Sequence, residues 1–245
     1  LYERCMVCYN VVTDQTMYQR HKKISGGRLC GYELITDRVV ESMRCQMEAD
    51  TGKRVLTKDV LSVLNSDFSI LTHPIRDYIN QLTTWDGKDR VQELASHLVA
   101  VPVVDHQTPE EAQQVIEWAL HKWLVGLVAT WLSDNQRNEQ VLVLIGEQGS
   151  YKTTWFNYLL PPQLKHYFYT KANASRLQRD DLLVLAQYGL VCCEELDTMT
   201  PRELNQLKAA VTMVTIDERI PYERYPRHLP HIASFCGTGN KIQFL

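Results

Sequence analysis

Residues 146–153 read Gly146, Glu147, Gln148, Gly149, Ser150, Tyr151, Lys152 and Thr153: a glycine-bounded run closed by an ammonium and a hydroxyl. This is the set of groups needed to hold phosphates. Glycines let the backbone curl until several N–H groups point at one anion, and a helix starting at the lysine adds its positive end. Lys152 would then neutralise charge on terminal phosphates, and the Thr153 hydroxyl would ligate Mg²⁺. One position departs from the G-x-x-x-x-G-K-[ST] pattern, because Tyr151 stands where a glycine is expected. A tyrosine fits there if its φ stays negative, as in the first turn of a helix. The competing reading is a glycine-rich strand-to-helix turn with an incidental Lys-Thr pair.

Two further runs carry polar groups on the ends of apolar segments. Leu190-Val191-Cys192-Cys193 ends in Glu194-Glu195, and residues 232–236 lead into Gly237-Thr238-Gly239-Asn240. Hydrolysis of a nucleotide needs one carboxylate near the metal and another to orient the attacking water. Glu194 is assigned to the metal and Glu195 to the water. Asn240 is positioned to sense the terminal phosphate if its strand lies between the other two. Taken singly, the acidic run is also what a solvated strand end with a helix cap would show, and the Gly-Asn run is also an ordinary turn. The order of lysine loop, acidic strand end and polar strand end is more specific than any one of them.

These groups can meet only if strands deliver them to one edge. From residue 140 onward strands and helices alternate: a buried strand at 141–145, a helix at 152–160 stopped by Pro161-Pro162, and a helix at 175–188. A second buried strand at 190–193, a helix at 201–211, a hairpin-like run at 214–227 and a last strand at 232–236 follow. Such alternation predicts an α/β fold with a mainly parallel sheet and helices on both faces. Upstream the pattern is helical. His73-Pro74 starts one helix, Trp85-Asp86-Gly87 makes a turn, and Asp89 caps a helix running to about residue 99. A long helix opens at Pro109-Glu110-Glu111. In it Ile116, Leu120, Trp123, Leu124, Leu127, Val128 and Trp131 form one broad apolar face, which reads as core. Before that lie strand-like residues 5–13, a Gly26-Gly27 turn, a helical pattern over 36–49, and a short helix over 57–64 capped by Thr57. The expected organisation is a small mixed α+β segment at 1–62, a helical leader at 63–136 and the core at 137–245.

With 245 residues, 44% hydrophobic and 22% charged, the chain is long enough for one large domain or two smaller ones. The apolar stretch 115–132 is broken by Glu117, His121 and Lys122, so no membrane span is expected. A net charge of −3 leaves contact with nucleic acid to local basic patches. Seven cysteines, two of them adjacent in an apolar run, argue for a reducing, cytoplasmic setting. Cys5-x-x-Cys8 could join Cys30 and Cys45 around zinc, but in a strand residues three apart face opposite sides. Both ends look like cuts through a longer polypeptide.

Residues 146–154, ending in Thr154, together with Glu194-Glu195-Leu196-Asp197, Leu207-Lys208-Ala209, Arg219-Ile220-Pro221-Tyr222, Pro226-Arg227 and Gly237-Thr238-x-Asn240, resemble successive landmarks of the virulence-associated E (VirE/VapE) family. That family belongs with the P-loop superfamily 3 helicases. His73-Pro74, Tyr78, Trp85-Asp86-Gly87 and Asp89-Arg90 resemble its helical leader, so the likeness spans about residue 60 to the end. The resemblance implies an AAA+-like three-layer P-loop core, ATP and Mg²⁺ as cofactors, and a homo-oligomeric ring. It also implies single-stranded or forked DNA as partner, and action in replication or mobilisation of phage, plasmid or genomic-island DNA beside a primase. It carries DNA contact over to Arg224 and Arg227, and a phosphate or DNA contact to Arg219. A solvated basic face would show the same arginines. The family continues past Asn240 into a Gly-x-Arg-Arg element, so this chain is expected to bind nucleotide and hydrolyse it poorly.

Two other functions compete with a DNA-dependent ATPase. A small-molecule P-loop kinase predicts an arginine-rich lid, for which the run 175–188 offers Arg176 and Arg179 alone. A non-catalytic nucleotide- or DNA-binding assembly module would carry a degenerate loop, and Tyr151 is the argument for it.

Overall fold

The computed structural model describes residues 5–20, 33–100, 102, 107–171, 179–218 and 227–241. The chain divides into two compact units, Leu1–Asp77 and Tyr78–Leu245.

In the first unit β1 (Cys5–Asn10) and β2 (Gln15–Arg20) form an antiparallel pair, extended by β3 (Glu33–Leu34). Helices α1 (Asp37–Thr51) and α2 (Thr57–Leu64) follow, and β4 (Ile70–Thr72) returns parallel to β1. Val40 and Met43 of α1 and Val60 and Leu64 of α2 pack on Cys5, Val7 and Tyr18, giving the sheet one apolar face. Thr57 is not the cap of α2. It is the first helical residue, Leu56 holds the cap position, and the Thr57 hydroxyl donates instead to Glu41 Oε1 at 2.6 Å. Cys5 and Cys8 are both buried in β1; Cys30 and the Gly26-Gly27 turn lie outside the described residues.

The division between units falls inside α3 (Pro74–Asn80). The second unit continues with α4 (Arg90–Ser96) and α5 (Pro109–Leu132). Asp89 caps α4 as its sequence position predicts, accepting from the Val91 and Gln92 amides at 3.0 Å each. Thr108 and Glu111 close a reciprocal capping box on α5, with Pro109 in the first turn.

There follow β5 (Val141–Ile145), α6 (Lys152–Leu159), β6 (Phe168–Lys171), α7 (Arg179–Gln187), β7 (Leu190–Cys193) and α8 (Pro201–Thr212). The antiparallel pair β8 (Thr215–Glu218) and β9 (Arg227–Pro230) precedes β10 (Ser234–Gly239). Four strands make one parallel sheet in the order β5-β10-β7-β6. Helices cover both faces. On one, Leu185 of α7 and Leu207, Ala210 and Val211 of α8 pack on Val191, Cys193 and Phe235. On the other, α5 is tied to the sheet by two buried indoles. Trp123 Nε1 donates to Phe235 O at 2.9 Å, and Trp131 Nε1 donates to Gly189 O at 3.0 Å. Each bond satisfies a polar atom that burial would otherwise leave costly.

Those two bonds tie α5 to the sheet within the second compact unit. The apolar face of α5 is also narrower than its sequence predicts. Leu120, Trp123, Leu127 and Trp131 are buried, Ile116 and Leu124 are half-buried and Val128 is exposed. Two strands differ from expectation as well. β5 is half-buried because it is an edge strand, and the last strand occupies Ser234–Gly239, not residues 232–236.

His231, just before β10, is buried and donates Nδ1–H to Met213 O at 2.7 Å, while its Nε2 has no hydrogen-bond partner among the described residues. Burial pushes its imidazole below the ordinary histidine value. The folded state therefore resists protonation more than the unfolded chain does. The resulting stability is full above the ordinary histidine range and is lost as pH falls through the depressed value. Thermal melts should show a lower Tm at pH 5 than at pH 7.5, and His231→Gln should shrink that difference. His166, also pushed down by burial, contributes in the same direction and keeps the difference above zero.

Candidate functional site

Parallel pairing puts three strand ends at one edge of the sheet, where open α/β sheets collect ligands. Gly239 of β10 stands opposite Ile145 of β5, and Gly237 opposite Cys193 of β7. The Gly146 amide then donates to Gly239 O at 3.2 Å, so the loop leaving β5 starts beside the end of β10. The loop turns at Gly149, whose φ of 83° needs a residue without Cβ, and runs into α6 at Lys152.

Within the loop, Lys152 Nζ donates to Gly146 O at 2.7 Å and Glu147 O at 2.8 Å. It also reaches Ser150 Oγ at 3.3 Å and Asn240 Oδ1 at 3.5 Å. The ammonium is thereby held over the centre of the curl, at the positive end of an eight-residue helix. Thr153, the next residue, donates its hydroxyl to Glu194 Oε1 at 2.7 Å. Glu194 is itself fixed by its amide, which donates to Lys171 O on β6 at 3.1 Å.

A cavity of about 500 Å³ opens between these groups. It is bounded by residues 148–154 of the loop and helix start, Glu194 and Glu195, and residues 238–240. Nearly every residue singled out from the sequence thus meets the others here. Gly146 and Glu147 contribute their carbonyls to Lys152 from behind the cavity wall. Thr238 and Gly239 line the cavity without having been assigned a role; the parallel register of β10 with β5 brings them in, and single-strand periodicity carries no sign of it. Arg219 and Arg224 lie outside the described residues, and Arg227 opens β9.

The donors fit the groups the sequence implies. Thr153 and Glu194 offer oxygen alone, as a hard divalent cation requires. The curl offers main-chain amides, a helix start and an ammonium, as an anion requires.

Two residues in this cavity hold strained backbone. Tyr151 has φ 58° and ψ 24°, and Glu195 has φ 54°; among the described residues Asp14 is the other non-glycine with positive φ. The expectation of a negative φ at Tyr151 is therefore corrected. The loop takes the left-handed shape that the glycine of the general pattern would take, and the Tyr151 side chain is exposed. A left-handed non-glycine residue costs about 1–2 kcal/mol. Alanine keeps that penalty and glycine removes it. Tyr151→Gly is thus expected to be more stable than Tyr151→Ala by about 1 kcal/mol in denaturant melts, the reverse of the helix-interior ranking.

Glu195 starts a short 3₁₀ turn, Leu196–Thr198, that folds back over the sheet. Leu196 sits where a Cβ on Gly237 would be, so the glycine in β10 is required by close approach and not by a turn. Asp197 Oδ1, two residues beyond Glu195, is buried without a hydrogen-bond partner among the described residues.

The virulence-associated protein E-like domain matches residues 79–245. No curated protein matches the chain. Among solved structures, the apo structure of the NrS-1 C-terminal region (305–718) has 12% identity and a TM-score of 0.52, covering 98% of this chain and 55% of that one. A second form of the same region gives 11% identity and a TM-score of 0.52 at the same coverage. The fold is shared, and the chain spans about half the length of the structures it resembles. No helix among the described residues is long and apolar enough to cross a membrane.

Proposed function

This chain belongs to the virulence-associated protein E-like domain family, and from that premise we propose that it is the P-loop ATPase core of a superfamily 3 helicase-like motor acting on DNA. The substrate is ATP with Mg²⁺. The observation that carries the reading is the convergence of Lys152, Thr153, Glu194, Glu195 and Asn240 on one cavity from three parallel strand ends.

In this reading the amides of residues 148–152 and the Lys152 ammonium hold the phosphates. Thr153 and Glu194, whose hydroxyl and carboxylate lie 2.7 Å apart, are the residues that would hold Mg²⁺. The metal supplies charge neutralisation at the phosphate oxygens. Glu195 orients the attacking water and accepts its proton. Asn240, linked to Lys152 at the same edge, reports whether the terminal phosphate is present. Arg219, Arg224 and Arg227 are the proposed DNA contacts, and assembly as a ring is proposed with them.

The test is ATP turnover by the intact protein with and without single-stranded DNA, and with Mg²⁺ or EDTA. Turnover that needs Mg²⁺ and rises with DNA supports the motor. Phosphorylation of a metabolite would instead make it a small-molecule kinase. Absence of nucleotide binding would make it an assembly module with a degenerate loop.

A further inference from the structure

Helices α4 and α5 enclose a second cavity, of about 320 Å³, that shares no residue with the phosphate-loop site. Gln114, Glu117, Trp118 and His121 line it from α5, and Asp89, Val91 and Gln92 line it from the start of α4. Both helices belong to the same compact unit, and Gln113 Nε2 donates to Ala95 O at 2.9 Å to hold them together.

Trp118 behaves unlike the two indoles that tie α5 to the sheet. It is 63% exposed, with Val115 and Val125 also exposed one turn before it and two turns after. Lys122 sets its ammonium 4.9 Å from the centre of the Trp118 ring, yet Lys122 is not part of the cavity wall. The ring face therefore already attracts a cation from its own chain, as an indole quadrupole does. Glu117 is half-buried beside it and makes no ion pair or hydrogen bond among the described residues. Asp89 is occupied in capping α4, so Glu117 is the carboxylate open to a ligand.

We propose that this cavity receives an arginine side chain from a partner polypeptide, its guanidinium flat on Trp118 and paired with Glu117. A planar, weakly hydrated cation with five donors suits an aromatic wall, a carboxylate and the amide oxygens of Gln92 and Gln114 better than a compact ammonium does. Charge complementarity selects a basic segment and excludes a phosphate backbone, which Asp89 and Glu117 would repel. Exposed Val115 and Val125 offer apolar contact to the residues flanking that arginine. The proposal does not depend on the ATPase reading.

The probe is an acetylated, amidated Gly-Gly-Arg-Gly-Gly peptide, titrated into the whole chain with the tryptophan indole N–H signals followed by NMR. Its citrulline counterpart has the same shape without the charge. The arginine peptide should shift the Trp118 signal saturably, and the citrulline peptide should not. Glu117→Gln and Trp118→Leu alter surface positions, so both should fold, which their melting temperatures check. Each should weaken binding by about tenfold, the ratio expected from losing one charge pair or one cation–π contact. Equal binding of the citrulline peptide, or unchanged affinity in both variants, overturns the proposal.

Discussion

Replacing Lys152 by alanine is expected to abolish nucleotide binding while leaving the fold intact. The ammonium makes four contacts, all with oxygens of the loop and of Asn240, and none with the hydrophobic core. Its removal should therefore lower the melting temperature little. Its removal from the site is another matter. Charge-assisted hydrogen bonds contribute about 1.5–3 kcal/mol each, so losing contact with two phosphate oxygens corresponds to roughly 100-fold or more in Kd. The effect should exceed that number, because the same ammonium also holds Gly146 and Glu147 in the curl that aims the remaining amides. Calorimetric titration with a non-hydrolysable ATP analogue measures it. Unchanged affinity would remove the central assignment, and with it the proposed roles of Thr153, Glu194 and Asn240.

What the sequence made legible, and what it did not, divides along the range of the interactions involved. The helix start at Lys152, the strand ending before Glu194, the Asp89 cap and the start of α5 depend on neighbours a few residues away, and all lie where their local sequence puts them. The order of strands depends on pairing between distant segments. Nothing local in residues 234–239 says that they lie between β5 and β7, yet that placement is what brings Asn240 to Lys152. Gly237-Thr238-Gly239 looked like a turn because glycines end strands in most contexts. Here Gly237 is a strand residue kept small by Leu196 overhead, a contact between segments far apart in sequence. β6 is not legible because it has four residues, two of them the polar Thr170 and Lys171, leaving too short a pattern to separate from a loop. Tyr151 shows the opposite failure. The motif fixes a left-handed backbone, and side-chain preference alone argued against it.

The second large effect is expected at Glu195, where Gln should retain nucleotide binding and stop hydrolysis. In the proposed reading the two adjacent carboxylates have separate roles, and their backbones differ. Glu194 leaves β7 in extended continuity and accepts the Thr153 hydroxyl, which commits it to the metal side. Glu195 turns through φ 54° at the start of the 3₁₀ turn, lines the same cavity, and is exposed to solvent water. A strained residue kept at a polar cavity is where a role in chemistry is most expected. Glutamine has the same shape and tolerates the same backbone no worse, so the cavity and the loop should be unchanged. What it lacks is a basic oxygen to take a proton from water. Single-turnover ATP hydrolysis should fall by about 10²–10⁴-fold, the usual contribution of a positioned general base, with Kd for the analogue within about twofold. Normal turnover in Glu195→Gln would pass the base to Glu194 or Asp197. Those two separate by their dependence on metal: loss of Glu194 should raise the Mg²⁺ concentration needed for binding, whereas loss of Asp197, whose buried Oδ1 lacks a partner among the described residues, should not.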